Sequence, residues 1–146
     1  MEQGEGTTDE DGAAGGAGGR VLVMDDETSI LSMTRQVLAT RGFQVTLERT
    51  LAGAQRLLDT VDFDVVIADV HMPDGDGMGI LTYLKNSEQN RDCRCVFITG
   101  NPRKAADLKH LHGEDIPVLV KPFRVQDFVD EVTRQMELQP RGDVVA

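Results

Sequence analysis

A few polar residues in this 146-residue chain each close an apolar run. Asp25 and Asp26 follow Val21-Leu22-Val23-Met24, Asp69 follows Val65-Val66-Ile67-Ala68, Thr99 follows Cys95-Val96-Phe97-Ile98, and Lys121 follows Val118-Leu119-Val120. Three carboxylates in one crevice repel one another unless protons or a cation intervene. An all-oxygen donor set suits a hard divalent ion, and Mg²⁺, which takes one or two carboxylates plus water and phosphate oxygens, suits it best. A lysine ammonium is a point charge for a phosphoryl oxygen, and a threonine hydroxyl is a further donor. A carboxylate is also a competent nucleophile at phosphorus, giving an aspartyl-phosphate. Asp69, alone at the end of the most apolar run, is the best-placed nucleophile; Asp25 and Asp26 are better placed as the ion clamp.

For these side chains to meet, the runs must be neighbouring strands of one sheet. Val21–Met24 has the short, continuously apolar character of a strand buried on both faces. Ile30, Met33, Val37 and Leu38 then recur at helical spacing, with Gly42 as a stop signal. Phe43–Leu47 reads as a second strand, and Leu51, Ala54 and Leu58 as the inner stripe of a second helix. Asp64–Asp69 is the strongest strand; a turn cluster, Pro73-Asp74-Gly75-Asp76-Gly77, separates it from a helix carrying Ile80, Leu81 and Leu84. Cys95–Thr99 is a fourth strand, followed by a weaker helix around Ala105, Leu108 and Leu111. Pro117–Val120 is the fifth, and Val125, Phe128, Val129, Val132 and Met136 stripe the last helix. Five β-α units predict an α/β domain, a doubly wound five-stranded parallel sheet with helices on both faces. In the flavodoxin-like order 2-1-3-4-5, strands one, three and four are central, and ligands bind beyond their carboxyl ends.

The chain carries 25 acidic residues against 15 Lys and Arg, a formal charge of −10. Five of those acids, no base and seven of the fifteen glycines fall in residues 1–19, so residues 20–146 carry only −5. Residues 1–19 therefore read as a disordered Gly-rich acidic leader or linker, 20–138 as one domain and 139–146 as a short flexible tail. The acidity argues against direct nucleic-acid binding and against docking on anionic membranes. No apolar run is long enough to span a bilayer, no secretory signal opens the chain, and two cysteines make no disulfide framework, so a cytoplasmic setting is expected.

Asp25-Asp26 after an apolar strand, Asp69-Val70-His71-Met72-Pro73-Asp74-Gly75, Ile98-Thr99-Gly100 and Lys121-Pro122-Phe123 together resemble the response-regulator receiver family of two-component signalling. The resemblance covers about residues 20–138. It implies that Asp69 accepts a phosphoryl group from a phosphohistidine on a sensor histidine kinase or histidine phosphotransfer protein. It also implies that Asp25, Asp26, Asp69 and the backbone carbonyl of His71 hold Mg²⁺. Thr99 is then the switch residue that turns toward the phosphoryl group, Lys121 contacts it, and the Lys121–Pro122 peptide is cis. His71 and Asn101 border the phosphoryl position as modulators. The family often has Tyr or Phe three residues before the lysine, and here that position is Val118, so no aromatic ring relays the change. The chain is expected to turn over no external substrate and to signal through contacts with an unknown downstream protein.

Competing readings of the same residues are weaker. Asp25-Asp26 alone would serve as a helix cap, but Asp69 and Lys121 fall in register with it. Cys93-x-Cys95 and His110-x-His112 have one-residue spacers, shorter than zinc sites use, so core cysteines are expected. Asp74-Gly75-Asp76-Gly77 resembles half a calcium loop, but Tyr83 stands where such a loop needs Glu. A Mg²⁺-dependent aspartate-nucleophile phosphohydrolase would have Asp-x-Asp after the first strand and a substrate cap. A flavin or nucleotide carrier would not place Asp25-Asp26-Glu27 where phosphate must lie. Within the receiver reading, a free-standing chain is favoured by the initial Met, with a hybrid sensor kinase's receiver segment as the alternative.

Overall fold

The computed structural model describes residues 19–138; all of the leader expected over 1–19 except Gly19, and the tail expected over 139–146, lie outside the described residues. In chain order the elements are β1 (Arg20–Met24), α1 (Thr28–Ala39), β2 (Gln44–Glu48), α2 (Leu51–Leu58), β3 (Val65–Asp69), β4 (His71–Met72), β5 (Gly75–Asp76), α3 (Gly79–Lys85), β6 (Arg94–Thr99), α4 (Pro102–His112), β7 (Val118–Val120) and α5 (Val125–Glu137). The main sheet is parallel throughout, in the order β2-β1-β3-β6-β7. This is the doubly wound order that the sequence predicts, with β6 and β7 as its fourth and fifth strands.

Alternation along the strands divides the core into two layers, because successive side chains leave opposite faces. Leu22, Met24, Val66, Ala68 and Phe97 pack with Ala54, Leu58, Ile80, Leu84 and Leu108 of α2, α3 and α4. Val21, Val23, Val65, Ile67, Val96 and Ile98 pack with Leu31, Leu38, Phe128, Val129 and Val132 of α1 and α5. Cys93 and Cys95 belong to the first layer, as buried side chains on one face. Among the described residues no helix is long and apolar enough to cross a membrane.

Three local features differ from the sequence reading. The buried line of α1 is Leu31, Thr34 and Leu38, with Ile30, Met33 and Val37 half-buried beside it. Thr34 tolerates burial because its hydroxyl donates to the Ile30 carbonyl at 2.8 Å. Leu111, expected on the inner stripe of α4, is 70% exposed. An eleven-residue helix spans about 16 Å, whereas a three-residue strand spans about 10 Å, so the last turn of α4 runs past β7. The turn cluster after Asp69 is an antiparallel hairpin, with His71 opposite Asp76 and Met72 opposite Gly75. Gly77 closes it by donating to the Val70 carbonyl at 2.7 Å. A Cβ at Gly77 would lie 2.0 Å from the Asp69 carbonyl oxygen, so only glycine allows this approach.

Candidate metal and phosphoryl site

β1, β3, β6 and β7 all end at one edge, and the register aligns their last residues. Asp69 pairs with Ile98 and Thr99 pairs with Val120. Backbone bonds extend the ladder past the strand ends, from Val70 N–H to Ile98 O at 2.9 Å and from Lys121 N–H to Thr99 O at 2.8 Å. The polar residues are thus held in place by main-chain hydrogen bonds.

Asp25 is fully buried. Its N–H donates to Glu48 O of β2 at 3.1 Å, and its Oδ1 accepts the Glu27 N–H at 2.8 Å, which turns the chain into α1. Asp26 next to it is exposed. Arg49, just past β2, steadies this loop by donating to Asp26 O at 3.2 Å and to Thr28 Oγ1 at 2.8 Å. Asp69 is 4% exposed; its Oδ1 accepts the His71 N–H at 3.0 Å and its Oδ2 accepts Lys121 Nζ at 3.2 Å. Carboxylate oxygens of Asp25, Asp26 and Asp69 all lie within 4.8 Å of one another.

Lys121 reaches into this cluster from the end of β7, and the Lys121–Pro122 peptide that follows is cis. Its Nζ lies 2.6 Å from Glu27 Oε1, 3.0 Å from Asp25 Oδ2 and 3.2 Å from Asp69 Oδ2. The contact with Asp25 is an ion pair outside hydrogen-bond geometry, so the buried Asp25 Oδ2 accepts no hydrogen bond among the described residues. Burial raises the Asp25 pKa from 3.8 to about 6, against the Glu27 N–H and the lysine, which favour its ionised form. Burial alone would lower the lysine's pKa; its hydrogen bond to Glu27, its close contact with Asp25 and the charges of Asp25 and Asp69 outweigh that and raise it.

The arrangement fits a hard divalent cation. An orphaned buried carboxylate oxygen, a second carboxylate at 4% exposure and a third open to solvent supply oxygen donors while leaving room for water or phosphate oxygens. Thr99, completely buried, accepts the Asn101 N–H on its Oγ1 at 3.1 Å at the start of the loop into α4. Asn101 commits its own side-chain oxygen to capping that helix, accepting from Arg103 and Lys104 N–H at 2.9 and 3.4 Å. His71 is exposed on the hairpin beside Asp69. Val118 is half-buried against the first core layer.

Two contributors escaped the sequence reading. Glu27 is the lysine's nearest partner; its place directly after Asp25-Asp26 was the available signal. Asp74, not read as a helix cap from the sequence, accepts the N–H groups of Leu51 and Ala52 at 2.8 and 3.0 Å, capping α2 from the hairpin tip. Capping across 22 or 23 residues leaves no local sequence signal.

A parallel five-stranded sheet with a buried acidic cluster and a lysine at its carboxyl edge defines a class of phosphoryl- and metal-handling α/β domains. The sequence profile of the response regulator receiver domain matches residues 21–133, and the chain belongs to that family. It is 32% identical over 109 residues to the two-component response regulator ARR2 of Arabidopsis thaliana, an alignment covering 73% of this chain and 16% of that one. It is 27% identical over 117 residues to the response regulator receiver protein CpdR of Brucella abortus, covering 80% and 96%. The chain therefore spans less than a fifth of ARR2 and nearly all of CpdR. The crystal structure of the receiver domain of sensor histidine kinase PA1611 from Pseudomonas aeruginosa PAO1, which has a magnesium ion coordinated in its active-site cleft, superposes with a TM-score of 0.71 at 21% identity, covering 84% of this chain and all of that one. That likeness bears on the fold.

Proposed function

We propose that Asp69 is the phosphoacceptor of this receiver domain, modified in a Mg²⁺-dependent transfer from a phosphohistidine on a sensor kinase or phosphotransfer protein. The observation that carries this reading is the convergence of Asp25, Asp26, Asp69 and Lys121 at the end of β3, with Asp69 buried and anchored by both oxygens. In the step, an Asp69 carboxylate oxygen attacks phosphorus, the P–N bond of the phosphohistidine breaks, and its electron pair returns to the imidazole. Hydrolysis reverses the modification: water attacks phosphorus, orthophosphate leaves and the carboxylate is restored.

Asp25, Asp26 and Asp69, with the His71 backbone carbonyl, are the ligands proposed for Mg²⁺, which when bound supplies neutralising charge for the phosphoryl oxygens. Lys121 supplies the second positive charge, and the buried walls around Asp69 limit access of water. Thr99 is the switch: its hydroxyl now accepts from Asn101, and turning toward the phosphoryl group breaks that bond and releases the loop into α4. With Val118 in β7, the relay runs through this loop. His71 and Asn101 flank the crevice and set the access of the attacking water. The domain assists its own modification and turns over no external substrate. It acts in the cytoplasm through protein contacts, with no direct grip on nucleic acid, either free-standing or as part of a hybrid kinase.

Incubation with a small acyl phosphate and Mg²⁺, followed by intact mass measurement, is expected to show one added phosphoryl group, absent without Mg²⁺ and absent in Asp69→Ala. Steady turnover of phosphoesters with no adduct would instead favour a phosphohydrolase.

A further inference from the structure

The shortest contact of Lys121 is with Glu27, the one carboxylate around it that lies outside the Asp25, Asp26 and Asp69 cluster. An ammonium has three N–H donors, and three carboxylates already surround this one, at 2.6, 3.0 and 3.2 Å. Two of its N–H groups donate to Glu27 and Asp69 and the Asp25 charge lies against it, so a phosphoryl oxygen on Asp69 competes with all three for the ammonium. Asp25 and Asp69 are the two partners whose charge a bound divalent cation also compensates. Glu27 is the one that keeps its full pull.

Among the described residues the Glu27 carboxylate has no other polar partner. Glu27 is the N-cap residue of α1, yet its carboxylate caps nothing. Its backbone does the structural work: the N–H donates to Asp25 Oδ1 and the carbonyl accepts from Ile30 and Leu31 at 3.1 Å. Its side chain is 54% exposed against 17% for Lys121, so the pair sits at the mouth of the crevice, with the ammonium drawn outward from Asp69.

We propose that Glu27 is a fourth acid of the site, holding Lys121 in the unmodified protein and competing with the incoming phosphoryl group for its ammonium. Resting on the phosphoacceptor reading, this makes Glu27 a positioning residue: it touches neither phosphorus nor metal, and acts by setting where Lys121 stands. The pair weakens the modified state relative to the unmodified one and so lowers the equilibrium extent of phosphorylation.

The test is the affinity for beryllofluoride, a non-covalent phosphoryl analogue, measured by fluorine NMR on the full chain at saturating Mg²⁺. Wild type, Glu27→Gln and Glu27→Asp are compared. Gln removes the charge in nearly the same shape. Asp keeps the charge but is one methylene shorter, and as a favoured N-cap it folds back on the N–H groups of α1. Both variants are expected to bind the analogue up to about fivefold more tightly, the upper end of the range for a partly exposed charge pair. Tightening in Gln alone would trace the effect to general charge and overturn the competition for Lys121. Equal affinity in all three would overturn the role of Glu27 while leaving the phosphoacceptor reading intact. No binding by any of them would refute the phosphoacceptor reading itself.

Discussion

Asp25 is a carboxyl group whose burial works against its charge. Its pKa in the folded chain is about 6 against an ordinary 3.8, so between those values the folded state binds a proton that the unfolded state has lost. Stability without metal therefore falls as pH rises from about 4 to 6 and then levels. A metal ligand must be ionised, so Mg²⁺ affinity runs the other way, rising through about pH 6 and flat above it. Asp25→Asn should raise the metal-free Tm at pH 7 and reduce the metal-free pH dependence across this window, while losing most of the Mg²⁺ affinity; thermal scans from pH 4 to 7 with and without the ion check both signs. Asp25, Asp26, Asp69, Thr99 and Lys121 were legible in sequence because each ends an apolar strand. Glu27 was not, because its partner lies 94 residues away and only the fold brings them together.

At the scale of elements, the hairpin of β4 and β5 carries His71 and lies between two helices. Asp74 at its tip accepts two N–H groups at the start of α2, and Asp76 on the other side lies 4.0 Å from Lys104 of α4. The backbone N–H groups of Leu51 and Ala52 lower the Asp74 pKa, so the brace is in place above the ordinary carboxylate range and lost as pH falls below it. Asp74→Ala is predicted to weaken Mg²⁺ binding several-fold by freeing the hairpin that presents the His71 carbonyl, with only a small loss of Tm. Asp74→Asn, retaining one acceptor oxygen, should recover part of the affinity; titration calorimetry on the three proteins checks the order. Periodicity located the strands and helices, since their apolar faces must be buried. It could not locate a hairpin whose four strand residues have no apolar repeat. Nor could it show Asn90, which accepts from Phe63 N–H and donates to the Leu58 and Val61 carbonyls at the opposite end of the sheet.

For the whole molecule, the sheet is the fixed part and the crevice is where charge is concentrated. Phe97 and Phe128, one in each core layer, are completely buried, and the parallel strands between them hold the edge residues in register. The strand order followed from the β-α alternation because right-handed crossovers leave few arrangements. The overrun of α4 did not, because it depends on how short β7 is. Mg²⁺ bound only by the folded chain should raise its stability by about 2.7 kcal/mol at a hundredfold excess over Kd, on the order of 10 °C in Tm. Calorimetry should show this shift in wild type and little of it in Asp25→Asn.

The central claim, that Asp69 carries the phosphoryl group, is tested most directly by trapping the acyl phosphate. Borohydride reduces an aspartyl-phosphate to homoserine, and peptide mass mapping then locates it. Homoserine at position 69, in wild type treated with a small acyl phosphate and Mg²⁺ and in no sample lacking either, is the predicted result. Homoserine at position 25 or 26, 2-amino-5-hydroxypentanoic acid at position 27, or a phosphoryl group retained on His71, would contradict it.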